Sequence, residues 1–133
     1  MENKNRHGAT DLNSTRPRPL PTVARTAWLL SIILVSYLSL IPRIEIPYEF
    51  SGMDKVFHFL AYLWLAVLPF FGFKPFKMAV TGALLMVPLG IGLEFAQDFV
   101  PGRFLSVADM IADSTGVASG LLLGSYLKTF HKT

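Results

Sequence analysis

Cysteine is absent from the 133 residues. Without it, no disulfide framework, thiolate metal site or cysteine nucleophile can form. Charge is scarce: 16% of residues are Asp, Glu, Lys or Arg, against 52% that are apolar. That balance excludes a disordered chain, which needs low hydrophobicity and high net charge. It also argues against a soluble globule, although the length suits one domain. Neither H-E-x-x-H nor G-x-S-x-G occurs, so two hydrolase signatures are missing. No aromatic lies among Lys4, Arg6, Arg16, Arg18 and Arg25. The basic N-terminal stretch therefore has no stacking platform for a nucleic acid, and no nucleic-acid partner is expected.

Long apolar runs are what the sequence does have. Four are predicted to be helices, at about 26–41, 56–73, 78–95 and 107–127. Each approaches the roughly 20 residues that a helix needs to cross the hydrocarbon core, at about 1.5 Å per residue. In lipid the backbone must bond within the segment, so helices are the expected form. The fold class is all-α: a polytopic membrane protein with a bundle of four transmembrane helices. The first run resembles a signal-peptide core in length. Its long charged leader and the lack of a small-x-small cleavage site favour a retained anchor. Residues 1–25 form a polar tail, expected to be disordered, with Pro17, Pro19 and Pro21 giving polyproline character. Residues 128–133 form a basic C-terminal tail.

Orientation follows from the basic loop residues. The N-terminal tail, Lys74 and Lys77, and Lys128 and Lys132 together put nine on one side. Arg43, Lys55 and Arg103 put three on the other. The richer side is expected to be cytoplasmic, with both termini inside.

The poorer side carries most of the acids: Glu45, Glu49, Asp54, Glu94, Asp98 and Asp109, with Asp113 about one turn deeper. The pairs Asp54/His58, Glu94/Asp98 and Asp109/Asp113 each have i, i+4 spacing, which places both members on one helix face. Ionisable groups at an apolar boundary are costly, and their default reading is functional. Asp54, His58, Glu94 and Asp109 are the candidates for a general acid and base, or for ligands of a divalent metal. Lys55, Gln97, Arg103 and Asp113 are the candidates for contacting a ligand. Structural roles compete with these. Asp54 and the Ser106-x-x-Asp109 capping box can simply cap helices. Glu94 lies near a helix C-terminus, where capping does not explain an anion; pairing with Arg103 does.

Ala112, Gly116, Gly120 and Gly124 recur every four residues. They make a flat stripe for close packing against the second helix, the third helix or another subunit. Pro88, Gly90 and Gly92 predict a kink in the third run. Trp28, Tyr48, Tyr62, Trp64 and the Phe-rich segment 70–76 read as lipid-facing or interfacial.

In order, these residues resemble a known family. Asp54-Lys55-x-x-His58-x-x-x-Tyr62, Glu94-x-x-Gln97, Pro101-Gly102-Arg103, Ser106-x-x-Asp109, Gly116 and Gly120 resemble the VanZ-like family over roughly residues 28–126. The family often has Asn four residues after the last Asp, where this chain has Asp113. That departure predicts a changed site charge, or a pair with Arg103 or His58. The resemblance implies a small protein of the bacterial cytoplasmic membrane, related to one linked to teicoplanin resistance.

Three functions compete. The first is binding at the outer face of a membrane lipid, a lipid-linked envelope precursor or a glycopeptide, with Lys55 and Arg103 on phosphate or carboxylate. The second is an intramembrane enzyme acting on a lipid headgroup, optionally with a divalent metal. The third is a small ion or proton pathway, which four short helices would build as an oligomer.

Overall fold

A computed structural model describes residues 19–42 and 52–130. They form α1 (Pro19–Leu40), α2 (Met53–Gly72), α3 (Phe76–Leu84), α4 (Met86–Gln97) and α5 (Val107–Phe130), with no strand among the described residues. Three stretches are long and apolar enough to cross a membrane: Leu20–Leu40, Met53–Gly72 and Phe76–Gln97. The 24 residues of α5 have the length, but Asp109 and Asp113 lower its hydropathy, and both acids are buried against the other helices.

Two boundaries differ from the sequence reading. α1 begins at Pro19, so residues 19–25 are helical and not part of an extended tail. The first turn accepts Pro19 and Pro21 because its N–H groups have no intrahelical partner to lose. Residues 1–18, and with them Pro17 and the first basic residues, lie outside the described residues. So do Arg43, Glu45, Tyr48, Glu49 and Lys132. The third run is broken in two at Leu85, three residues before the proline blamed for the kink. Pro88 has no N–H for the Leu84 carbonyl, and its ring crowds that carbonyl. The helix yields there, while Leu85 and Leu89 keep the N–H bonds to Thr81 and Leu85 on either side, at 3.0 and 3.3 Å.

α2 packs against each of the other four helices and most extensively against α5. The small-residue stripe explains the α5 contact. A Cβ added at Gly116 would lie 2.4 Å from the Phe59 carbonyl oxygen. One at Gly120 would lie 2.6 Å from that of Leu63, and one at Gly124 2.3 Å from the Phe70 ring. Backbone meets backbone here, so the partner of the stripe is α2. Ala112 continues the stripe and is half-buried.

The core is Leu65, Ala66, Phe70, Ala79, Ala83 and Val117, closed by Tyr62 and Trp28. Three aromatics expected to face lipid are therefore buried: Trp28, Tyr62 and Phe70. For Trp28 the reason is chemical. Pro69 lies within α2 and cannot donate to the Leu65 carbonyl four residues earlier. The Trp28 indole N–H donates to it instead, at 2.9 Å. Tyr62 falls on the inward stripe of α2, with its ring against Gly90 of α4. Trp64 remains exposed, as expected, and its indole N–H reaches the Ser31 hydroxyl at 3.1 Å. The outward side of α1 is apolar: Leu29, Leu30, Ile33, Leu34 and Tyr37 are each more than half exposed. Water would penalise that surface and hydrocarbon would not.

The ends of the molecule differ in charge. At one end Arg25 packs on Gly72 and Lys128 donates to the Phe73 carbonyl, beside Lys74 and Lys77. The acids gather at the other.

Candidate functional site

Three helix ends and one loop build the acidic end. α2 starts after Gly52, whose φ of 107° is left-handed, and no side chain caps it. Asp54 is thus not an N-cap; it lies in the first turn of α2, where the helix dipole favours an anion. Asp54, His58 and Tyr62 follow at steps of four and share the inward stripe of α2.

The loop from α4 to α5 is set by one turn. Val100-Pro101-Gly102-Arg103 closes with the Arg103 N–H on the Val100 carbonyl at 3.1 Å. Proline second and glycine third, with Gly102 at φ 76°, is what a type II turn requires. The turn delivers Arg103 to the carboxyl end of α1. Its guanidinium donates to the carbonyls of Ile41 at 3.0 Å and Leu38 at 3.2 Å. A cation there satisfies terminal carbonyls and complements the helix dipole. Arg103 is therefore not the partner of Glu94 or Asp113, as the sequence had allowed.

Glu94 performs a different task. The Ser106 hydroxyl accepts the Asp109 N–H at 3.2 Å, which is the serine half of the capping box. The other half comes from a different helix: the Ser106 N–H donates to Glu94 Oε2 at 3.0 Å. Glu94 so ties the end of α4 to the start of α5. Asp109, relieved of capping, lies 3.7 Å from the Lys55 ammonium through Oδ1. Asp98, the C-cap of α4, keeps a helical backbone, yet it differs from Glu94 in burial. Glu94 is 1% exposed, whereas Asp98 is exposed and only weakly accepts the Leu105 N–H, at 3.5 Å.

Asp113 sits one turn below Asp109 and is 2% exposed. Its Oδ1 is 3.0 Å from His58 Nδ1. Of the two partners foreseen for it, His58 is the one it takes. Gly90 permits this packing. A Cβ at Gly90 would lie 3.0 Å from both Asp113 Oδ2 and Tyr62 Cε1. Sequence reasoning assigned Gly90 to the kink and Tyr62 to lipid, so both were missed as parts of the site. The i, i+4, i+8 spacing of Asp54, His58 and Tyr62 was the signal available for the tyrosine.

The structure thus brings together Asp54, Lys55, His58, Glu94, Gln97, Asp109 and Asp113, with Arg103 at the rim. Two sets of three lie close enough to hold a cation, their ligand atoms within 4.8 Å of one another. One is Asp54, His58 and Asp109; the other is His58, Glu94 and Asp113. Among the described residues, three buried side-chain atoms have no hydrogen-bond partner: Glu94 Oε1, Gln97 Nε2 and Asp109 Oδ1. Most buried polar atoms are satisfied, so such a cluster points to a bound group.

Two cavities lie side by side here. A polar basin of about 210 Å³ is lined by Asp54, Lys55, Gln97, Arg103, Ser106 and Asp109, among others. A largely apolar cavity of about 300 Å³ runs between α1 and α2, past Val35, Leu38, Phe57, Ala61 and Tyr62. Asp54 and Arg103 border both.

Comparison with known proteins places this arrangement. A family model described as VanZ/LLP1 matches residues 8–128. An uncharacterized protein of the fission yeast Schizosaccharomyces pombe, C11E3.10, is 27% identical over 99 residues, covering 72% of this chain and 59% of its own length. The chain thus spans about three-fifths of that curated relative. No solved structure matches.

Proposed function

The chain belongs to the VanZ/LLP1 family, and we propose that it binds a phosphate-bearing membrane lipid at the acidic end of its helices. The observation that carries this is a polar basin and a largely apolar cavity side by side, with Asp54 and Arg103 lining both. A lipid has the same two parts. Its headgroup fits the polar basin, and the first part of an acyl or prenyl chain fits the apolar cavity between α1 and α2. Ligand sites of this kind are mostly apolar with a few placed polar groups.

The donors suit a phosphate. The buried Gln97 Nε2 lacks an acceptor, and Lys55 stands beside it in the basin. Arg103 spends its bonds on two carbonyls, fewer than the five N–H groups of a guanidinium. Four membrane spans, with the acidic end outside and both termini inside, complete the reading. The cluster of Arg25, Lys74, Lys77 and Lys128 at the opposite end supports that orientation. A wall precursor or a glycopeptide is a narrower version of the same binding. The relative in a fungus, a cell without peptidoglycan, favours the lipid. An intramembrane enzyme remains the second reading, favoured by the buried Glu94 Oε1, which accepts no hydrogen bond.

Thermal melts in mild detergent with EDTA test the binding. Phosphatidylglycerol is expected to raise the melting temperature more than a phosphate-free diacyl glycolipid at equal concentration, as a ligand of the folded state must. Lys55→Ala should erase the difference between the lipids. Ala61→Trp, which fills the apolar cavity, should shrink the gain from both. Equal stabilisation of the wild type by the two lipids would defeat the headgroup assignment.

A further inference from the structure

We propose that His58, Glu94 and Asp113 hold one divalent cation of the manganese or zinc type, seated beneath the polar basin. The idea deepens the lipid reading, because a cation there gives the headgroup phosphate a second positive partner. The metal site itself stands on separate observations.

The first is convergence. One ligand atom from each of the three residues lies within 4.8 Å of the other two. Around an ion with bonds of about 2.1 Å, neighbouring ligand atoms sit roughly 3.0–4.2 Å apart. Small side-chain movements close that gap. The three residues come from α2, α4 and α5, so the ion would join three helices at one point.

The second is an unanswered acceptor. Glu94 is 1% exposed, and its Oε2 takes the Ser106 N–H. Its Oε1 has no donor. A buried carboxylate without a partner is expensive, and such groups are found paired or on metals. The nearby cations are already engaged: Lys55 stands by Asp109, and Arg103 holds α1. Three buried carboxylates, Glu94, Asp109 and Asp113, therefore exceed the positive charge that reaches them. A doubly charged ion corrects the excess.

The third is packing that fixes the ligands. Glu94 is held by the start of α5, His58 and Asp113 hold each other, and the bare backbone of Gly90 leaves room for the Asp113 carboxylate. One imidazole and two carboxylates, with no thiolate in the chain, match manganese or zinc.

The full chain, purified in mild detergent and stripped with EDTA, is titrated with Mn(II) alone and followed by electron paramagnetic resonance. One ion per chain is expected. Glu94→Gln and Asp113→Asn should each weaken binding roughly tenfold or more. Asp98→Asn, at the exposed end of α4, should bind as the wild type does. A second readout needs no change to the site. With His7 and His131 replaced by alanine, His58 is the remaining histidine of the three. Pulsed resonance should then show imidazole nitrogen coupling to the bound manganese. Failure of the wild type to take up the ion overturns the proposal. So does binding without nitrogen coupling, or binding unchanged in both Glu94→Gln and Asp113→Asn. Loss in Asp54→Asn and Asp109→Asn with none in Glu94→Gln would also overturn it, by placing the ion in the neighbouring set. Because lipid is absent from the titration and metal from the lipid melts, the two ideas fail separately.

Discussion

Alanine at Gly116 is expected to cost about 1–3 kcal/mol of stability, the usual penalty for overpacking, and leucine there to abolish recovery of folded protein. The added Cβ would lie 2.4 Å from the Phe59 carbonyl oxygen and 3.1 Å from the Leu63 nitrogen. Both are backbone atoms within α2, and a helix backbone cannot swing aside as the end of a side chain can. The clash must separate α2 from α5, the most extensive contact in the molecule. Separation would also pull His58 from Asp113, since each is on one of those helices. Gly92→Ala is the control. That residue is exposed, and a Cβ there meets nothing within 4 Å. Relief of the glycine penalty within a helix should make it neutral or stabilising, by up to ~1 kcal/mol. Melts of the two variants in one detergent measure both. Equal melting temperatures would mean that the α2–α5 approach is looser than described.

The glycine stripe shows where sequence reasoning succeeds. Steps of four on a helix put small residues in a line, whatever lies opposite, so close packing was legible while its partner was not. The partner depends on how α2, α3 and α5 cross, which no local pattern encodes. Helix ends behave similarly. The apolar runs place the helices, but polar residues can extend them, as Thr22 and Arg25 do near the start of α1. Pro88 marked the break in the third run, yet the break falls at Leu85 because a proline acts on the turn before it.

At the site, residue types and their common end were readable, and their pairings were not. Ser106-x-x-Asp109 is a local motif, and half of it forms. The other half is taken by Glu94, twelve residues earlier on another helix. Opposite charges suggested Glu94 with Arg103, but the type II turn aims Arg103 at α1. The aromatics carried least information. Tyr62 and Trp28 have the composition of an interfacial belt, and only the neighbours that bury them distinguish core from interface.

Trp28 supplies the remaining prediction, because its burial rests on a backbone atom. Trp28→Phe is expected to cost about 1–3 kcal/mol, the penalty for stranding a buried carbonyl. The ring and much of its edge contact with Phe73, now at 5.6 Å between centroids, would be retained. What disappears is the indole N–H that serves Leu65. Leu65 is fully buried, and Pro69 denies its carbonyl the usual helical donor. Pro69→Ala supplies that donor from within α2. It also opens space beside Gly82, whose missing Cβ would sit 3.3 Å from the Pro69 ring, so the single change carries its own cost. A double-mutant cycle removes that cost from the comparison. In the Pro69→Ala background the new N–H answers the Leu65 carbonyl, and Trp28→Phe should cost roughly 1 kcal/mol less than in the wild type. Equal costs in the two backgrounds would show that the indole contributes by packing alone. A coupling of the expected sign would show that a proline in one helix is answered by a tryptophan in another. The two helices are then held in register by a hydrogen bond that α2 cannot make for itself.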